Sequence, residues 1–221
     1  METLRRSVAR VALWLSALAI LATLILGAMM VFGVGIAETP SQATDFSERI
    51  VNSFLEAEQR WKWQRWIEPL TAVAFGAIII ALPWLPDVRK SRSVITGGLT
   101  VIVVAELIDS VQEVAIDNAR FTLDNGATEA FIAFNVSRFM LDATSRWIWV
   151  GGAVLLAAGL AILIVESNRR TWRIGSALFA ITVLFNAMGG FFIDAANVDY
   201  TLMTLAIIYW TLSAARILKT S

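Results

Sequence analysis

The stretch WIWVGGAVLLAAGLAILIV, Trp147 to Val165, runs between Arg146 and Glu166 without a charged residue in 19 positions. At the α-helical rise such a run covers about 28 Å, close to the ~30 Å hydrocarbon thickness of a bilayer. It reads as a transmembrane helix, and the rest of the chain repeats the pattern. Towards the C-terminus lie Ile174 to Ile193 and Thr201 to Leu218; towards the N-terminus lie Val94 to Val114, Glu68 to Leu85 and Val8 to Ile36. Hydrophobic residues make up 57% of the chain, charged residues only 16%, and the mean hydropathy is +0.68, well above the ~45–50% apolar share of a soluble domain. The fold class expected is all-α: one polytopic domain, residues 1–221, with six transmembrane helices.

Several functions are excluded or disfavoured by what the chain lacks. It has no Cys and no His, which removes disulfides, thiol nucleophiles, haem ligation through His and the usual zinc sites. Its net charge is zero, so a basic nucleic-acid surface is not expected. Asp194, in the context Gly189-Gly190-Phe191-Phe192-Ile193, does not match the Gly-x-Gly-Asp of a membrane aspartyl protease, and the acids near Asp117 lack the pattern of phosphatidyl transferases. No catalytic constellation, metal or cofactor is expected, and the chain does not read as an enzyme.

Lys and Arg set the orientation, because basic residues collect in short cytoplasmic loops. With the N-terminus inside, the inner segments hold Arg5, Arg6, Arg10, Arg89, Lys90, Arg92, Arg169, Arg170, Arg173, Arg216 and Lys219; the short loops Pro86–Ser93 and Glu166–Arg173 are both tight basic clusters. Both termini are therefore expected in the cytoplasm. The Gly35-Ile36-Ala37 end of the first run could pass for a signal-peptidase site, but the run is nearly twice as long as a signal-peptide core, and a retained signal-anchor helix is preferred. Trp61, Trp63, Trp66, Trp147 and Trp149 fall at the outer boundary of this topology and Trp84 and Trp172 at the inner one, as headgroup-level indoles should. An inverted repeat of three spans is not supported: the connections within the two halves differ in length, and the acidic third span has no acidic counterpart in the sixth.

Two outer segments are longer than linkers. Residues 45–66 carry Phe46, Ile50, Val51, Phe54 and Leu55 at helical spacing, opposite Glu48, Arg49, Asn52, Glu56 and Arg60, with Asp45 and Glu48 placed as a capping box. They read as an amphipathic helix lying on the outer surface and anchored by Trp61, Trp63 and Trp66. After the turn signal Asp124-Asn125-Gly126, residues 128–146 have neither Gly nor Pro and should run straight into the fourth span. The Gly97-Gly98, Gly151-Gly152 and Gly189-Gly190 pairs are expected at close helix contacts, and Pro83 and Pro86 should end the second span.

The polar residues of the third span carry the strongest hint of chemistry. Glu106, Asp109, Glu113 and Asp117 follow at spacings of three, four and four and share one helix face. Glu106 and Asp109 fall in the outer half of the membrane, where carboxylates must face the bundle interior or a water-filled cavity. A second stripe, Asn135, Arg138, Asp142 and Arg146, has the same spacing, and Asn186 of the fifth span lies near the depth of Glu106. Either Arg138 and Arg146 neutralise the acids as a structural clamp, or the two stripes line a vestibule for a cation, a proton or an amine.

In layout the chain resembles a known family. Its basic start, long outer helix, third span with acidic residues in its outer half, second outer helix fused to span four, short basic inner turn and ending Tyr209-Trp210-Thr211-Leu212-Ser213-Ala214-Ala215-Arg216-Ile217-Leu218-Lys219 resemble the bacterial six-span family catalogued as domain of unknown function 4386. That resemblance implies a bacterial inner membrane and the same topology, and it supplies no functional residues. The function expected is a non-catalytic membrane subunit or binding protein with a polar, acid-lined network. Its partners would be the lipid bilayer and either a second copy of the chain or a membrane partner protein. The alternative is a small cation- or proton-linked transporter or channel.

Overall fold

A computed structural model of the chain describes residues 2–33, 46–192 and 196–220, with side chains described at all of these except 30–33, 46–50, 52, 53, 55–64, 113, 189–192, 196–199 and 220. Every regular element among the described residues is helical. The elements are α1 (Glu2–Gly33), α2 (Phe46–Ala81), a single 3-10 turn (Leu82–Trp84), α3 (Arg92–Asp124), α4 (Thr128–Glu166), α5 (Arg170–Phe192) and α6 (Ala196–Thr220). Six helices are long and apolar enough to cross a membrane; five contain the described part of an expected span, and the second expected span, Glu68 to Leu85, runs past the end of α2 at Ala81 through the 3-10 turn to Leu85. The outward-facing side chains agree with a lipid environment: Val165 is 85% exposed, Ile181 65% and Leu18 59%, burial states that water would penalise and hydrocarbon does not.

The helices pack in chain order, α1 on α2 through to α5 on α6, and α6 returns to α1 to close a ring. Neighbouring helices run antiparallel, so the ring has two unlike ends. At the terminal end, the loop after the 3-10 turn and the loop after α4 are tied together. Ser167 Oγ donates to Asp87 Oδ2 at 3.2 Å, Arg169 reaches the same carboxylate at 3.5 Å, and Lys90 reaches Glu166 at 3.8 Å. Arg5 of α1 sits over the Trp84 ring, 5.4 Å from its centre. Pro83 stands at the start of the 3-10 turn that stops α2, as its missing N–H demands.

At the opposite, far end three helices overrun the bilayer. With 36, 33 and 39 residues, α2, α3 and α4 are about 54, 50 and 58 Å long, roughly 20–28 Å more than the ~30 Å hydrocarbon needs. The overhang has its own small core, in which Phe54 of α2, Ile116 and Ala119 of α3 and Phe131 of α4 are buried together. Phe54 and Phe131 meet edge to face at 5.1 Å. The turn that joins α3 to α4 is the expected one: Asn125 caps α3, and Gly126 takes φ +71°, the left-handed conformation that a side chain would strain.

The second span differs from expectation. Residues 46–66 do not form a separate surface helix; they are the first part of α2, which continues through Pro69 to Ala81. A proline inside a helix deprives the carbonyl four residues earlier of its partner, here that of Arg65. A single lost backbone bond does not end the helix here. The capping box at Asp45 and the pair Gly189-Gly190 lie outside the described side chains.

The glycines show where two helices touch. A Cβ added to Gly98 would lie 2.4 Å from the Leu156 backbone nitrogen and 2.9 Å from the Gly152 carbonyl oxygen; one added to Gly152 would lie 2.9 Å from the Ile102 nitrogen. Gly159 is equally tight against Ile95, whereas Gly97 and Gly151 have nothing within 4 Å. One glycine of each pair therefore lets α3 and α4 come into backbone contact, the packing mode that membrane helices use in place of a hydrophobic drive.

Candidate functional site

The close α3–α4 seam positions the intramembrane polar groups. Glu106 lies 14 residues into α3, about 21 Å from its start, and is only 8% exposed. Its Oε1 accepts a hydrogen bond from Trp149 Nε1 of α4 at 2.9 Å. One turn further on, Asp109 Oδ1 accepts from Ser145 Oγ of α4 and from Gln112 Nε2 of its own helix. The Ser145 hydroxyl also lies 2.9 Å from the Asp142 carbonyl oxygen. With a single proton to donate, it is shared between a helix carbonyl and the acid.

Of the expected partners, Arg146 and Asp142 stand beside Asp109, yet Arg146 is paired within α4. Its Nη2 is 3.1 Å from Asp142 Oδ2 and its Nε donates to Oδ1 at 3.2 Å, the two-pronged geometry that suits a guanidinium and a carboxylate. The Arg138 guanidinium lies over the Phe139 ring, 4.5 Å from its centre. Asn135 is buried, and its Nδ2 has no hydrogen-bond partner. Asp117, near the far end, is held by Arg65 of α2 at 3.2 Å. Asn186 is half-buried on α5, and among the described residues no hydrogen bond or ion pair joins it to Glu106. The side chain of Glu113 lies outside the described residues. Of the two stripes, then, the structure brings Asp109 to Ser145, Asp142 and Arg146, while Glu106 is met by an indole rather than an arginine.

The site also contains residues that the sequence did not single out. Glu68 of α2 is 8% exposed and, 13 residues before the end of its helix, stands about 20 Å from the terminal end, level with Glu106. Tyr200 of α6 carries a buried hydroxyl that has no hydrogen-bond partner among the described residues, with Thr23 (α1), Thr71 (α2), Glu68 and Glu106 all within electrostatic range of it. Both threonine hydroxyls donate to carbonyls of their own helices, Thr23 to Ile20 at 2.8 Å and Thr71 to Ile67 at 2.9 Å, which leaves their oxygens free to accept. Five of the six helices thus contribute a polar side chain to one interior layer. Glu68 was legible in principle, as an acid counted back from Pro83 into an apolar run, but it reads as the first residue of the span.

Two tryptophans assigned to the membrane boundaries face inward instead. Trp149 is turned to Glu106, and Trp172 is fully buried, stacked on Trp210 at 4.8 Å, while Trp210 Nε1 donates to Ser176 Oγ at 3.1 Å. Trp66 and Trp147 are exposed at the far boundary, as expected. The interior layer can accept hydrogen bonds and can hold a proton or a small cation between carboxylates. Among the described residues no group of three acidic side chains is placed to hold a metal ion. Compared with protein families, with curated proteins and with solved structures, the chain matches none of them.

Proposed function

We propose that this is a multi-pass protein of a bacterial inner membrane with both termini in the cytoplasm, acting as a non-catalytic membrane subunit or binding protein. Membership of the six-span family that its layout resembles belongs to the same proposal. The orientation follows from the basic terminal end, where Lys90, Arg169 and the bases of α1 cluster as the positive-inside rule requires. The far-end overhang of α2, α3 and α4 then stands outside the cell membrane, and it is the observation that carries the functional part. A bundle that served only itself would not need ~20 Å of extra helix with a separate apolar core. On the α4 arm, 7–11 residues beyond Trp147, Val136, Phe139 and Met140 are 52%, 55% and 68% exposed, an apolar face on the part that projects. Such a patch is what a partner protein, or a second copy, would cover. Purified in a mild detergent, the wild type should carry a companion or form a homo-oligomer, and Phe139→Asp with Met140→Asp should release it. A strict monomer that moves a solute in liposomes would overturn this.

A transporter role is favoured by one specific feature, the pair Glu68 and Glu106 at one depth of the interior. Both are nearly sealed from solvent, with Trp149 bonded to Glu106, which weighs against an open vestibule. If the pair nevertheless carries protons or cations, reconstituted wild type should pass them and Glu106→Gln should not.

A further inference from the structure

At the terminal end a cleft of about 380 Å³ opens between the first turns of α1 and the last turn of α6. Arg6 and Arg10 of α1 and Lys219 of α6 line it together with Thr3, Ser7 and Glu2, three cations against one carboxylate. We propose that this cleft binds the phosphate headgroup of an anionic phospholipid in the leaflet at that end of the bundle.

The chemistry of the lining fits a phosphate. Among the described residues Arg6 is engaged by Glu2 alone, at 2.8 Å, in a pair whose side chains are 37% and 76% exposed, and an exposed pair of this kind is weak competition for a phosphodiester anion. Among the described residues neither Arg10 nor Lys219 has a carboxylate partner. A guanidinium presents paired N–H groups that match two phosphate oxygens, and an ammonium adds a point charge from the facing helix. The first turn of α1 also leaves backbone N–H groups without intrahelical partners, at the positive end of the helix dipole. The Ser7 hydroxyl is committed to the Thr3 carbonyl at 3.0 Å, so the Thr3 hydroxyl is the neutral donor left for the ligand.

What selects a lipid over a free phosphate is the surface below the cleft. Starting from Arg10, the residues Trp14, Leu18, Leu21 and Ile25 follow at spacings of four, four, three and four, and are 54%, 59%, 43% and 54% exposed. They form one apolar ridge that starts beside the cations and runs down α1 into the hydrocarbon, a bed for acyl chains attached to a headgroup held above. Basic pockets between membrane helices at headgroup level recognise anionic lipids on these grounds.

The test uses the full-length protein in micelles, titrated with phosphatidylglycerol, with phosphatidylcholine, or with glycerol 3-phosphate. Lipid retained per protein is read by native mass spectrometry and stability by thermal melting. The wild type should retain phosphatidylglycerol several-fold over phosphatidylcholine and melt higher with it, whereas glycerol 3-phosphate should give little stabilisation. Arg10→Gln with Lys219→Gln should lose the preference; Arg89→Gln with Arg173→Gln, which removes two exposed bases elsewhere on the same end, should keep it. Arg10→Lys, which retains the charge without the fork, should fall between, and it keeps the comparison open if the double variant fails to fold. Equal retention of the two lipids by the wild type would overturn the proposal, as would equal loss in both double variants, which means diffuse surface charge. Stabilisation by glycerol 3-phosphate equal to that by the lipid would overturn it in favour of a soluble phosphate.

Discussion

Adding one methyl group to Gly98 should loosen the α3–α4 seam. The new Cβ would sit 2.4 Å from the Leu156 nitrogen, 2.7 Å from its Cα and 2.9 Å from the Gly152 oxygen, all backbone atoms that no rotamer change can move. An ordinary contact needs about 3.4 Å or more, so the two helices must part locally by roughly 1 Å. Overpacking of this kind costs about 1–3 kcal/mol, and rigid backbone neighbours place Gly98→Ala in the upper half of that range. The gain in helix propensity of Ala over Gly, about 1 kcal/mol, offsets part, for a net loss of roughly 1–2 kcal/mol. For a chain of this size that is a fall of roughly 2–8 °C in Tm, read by thermal melting in one detergent. The neighbouring pair members supply the control: Gly97→Ala and Gly151→Ala meet nothing within 4 Å and should melt at or above the wild type. Gly152→Ala should behave like Gly98→Ala. If Gly98→Ala melts with Gly97→Ala, the helices are not in backbone contact and the placement of the polar layer beside that seam is wrong as well.

Two further outcomes follow from the same geometry. Trp149→Phe removes the N–H that meets Glu106, and a buried bond to a carboxylate is worth about 1.5–3 kcal/mol; Glu106→Leu, which removes the acceptor, should cost much less on top of it than alone, and strict additivity in the melting cycle would dispose of the contact. Phe54→Ala should remove about 3–5 kcal/mol from the small far-end core. Limited proteolysis should then cut within the overhang while the transmembrane part stays protected, and an unchanged digestion pattern would show that the overhang does not depend on Phe54 meeting Phe131.

The spans were legible because runs such as Val94 to Val114 can satisfy their backbone only as helices and their side chains only in lipid. The Asp124-Asn125-Gly126 turn was legible for a local reason, a left-handed position that glycine fills. Depth along the chain is thus readable; rotation about a helix axis is not. Trp149 and Trp172 stand at boundary depth by count, and the same count cannot say that they turn inward, since that depends on which face of α4 and α5 the neighbouring helices cover. The same blindness affected the glycine pairs, where only one member of each described pair is at the contact. Glu68 reads from the sequence only as the first residue of a span and not as an interior acid, whereas it lies 22 residues into α2. The polar stripes on α3 and α4 were placed on the correct helices, but the side chains that meet Glu106 and Asp109 are an indole, a hydroxyl and an amide, none of which a search for opposite charge would find.

Closure of the ring by α6 sets a timetable for biogenesis. The last helix begins at Ala196, and the first, its partner, ends at Gly33, so the ribosome must add more than 160 residues before α1 can meet α6. At the usual ~5–20 residues per second that is roughly 8–33 s. Throughout that interval one flank of α1 waits against lipid or the insertion machinery, and Tyr200 is not yet there to complete the layer between Thr23 and Thr71. A nascent chain stalled before Ala196 is therefore an open arc with a polar inner wall, and it is the species that a membrane quality-control protease would meet first.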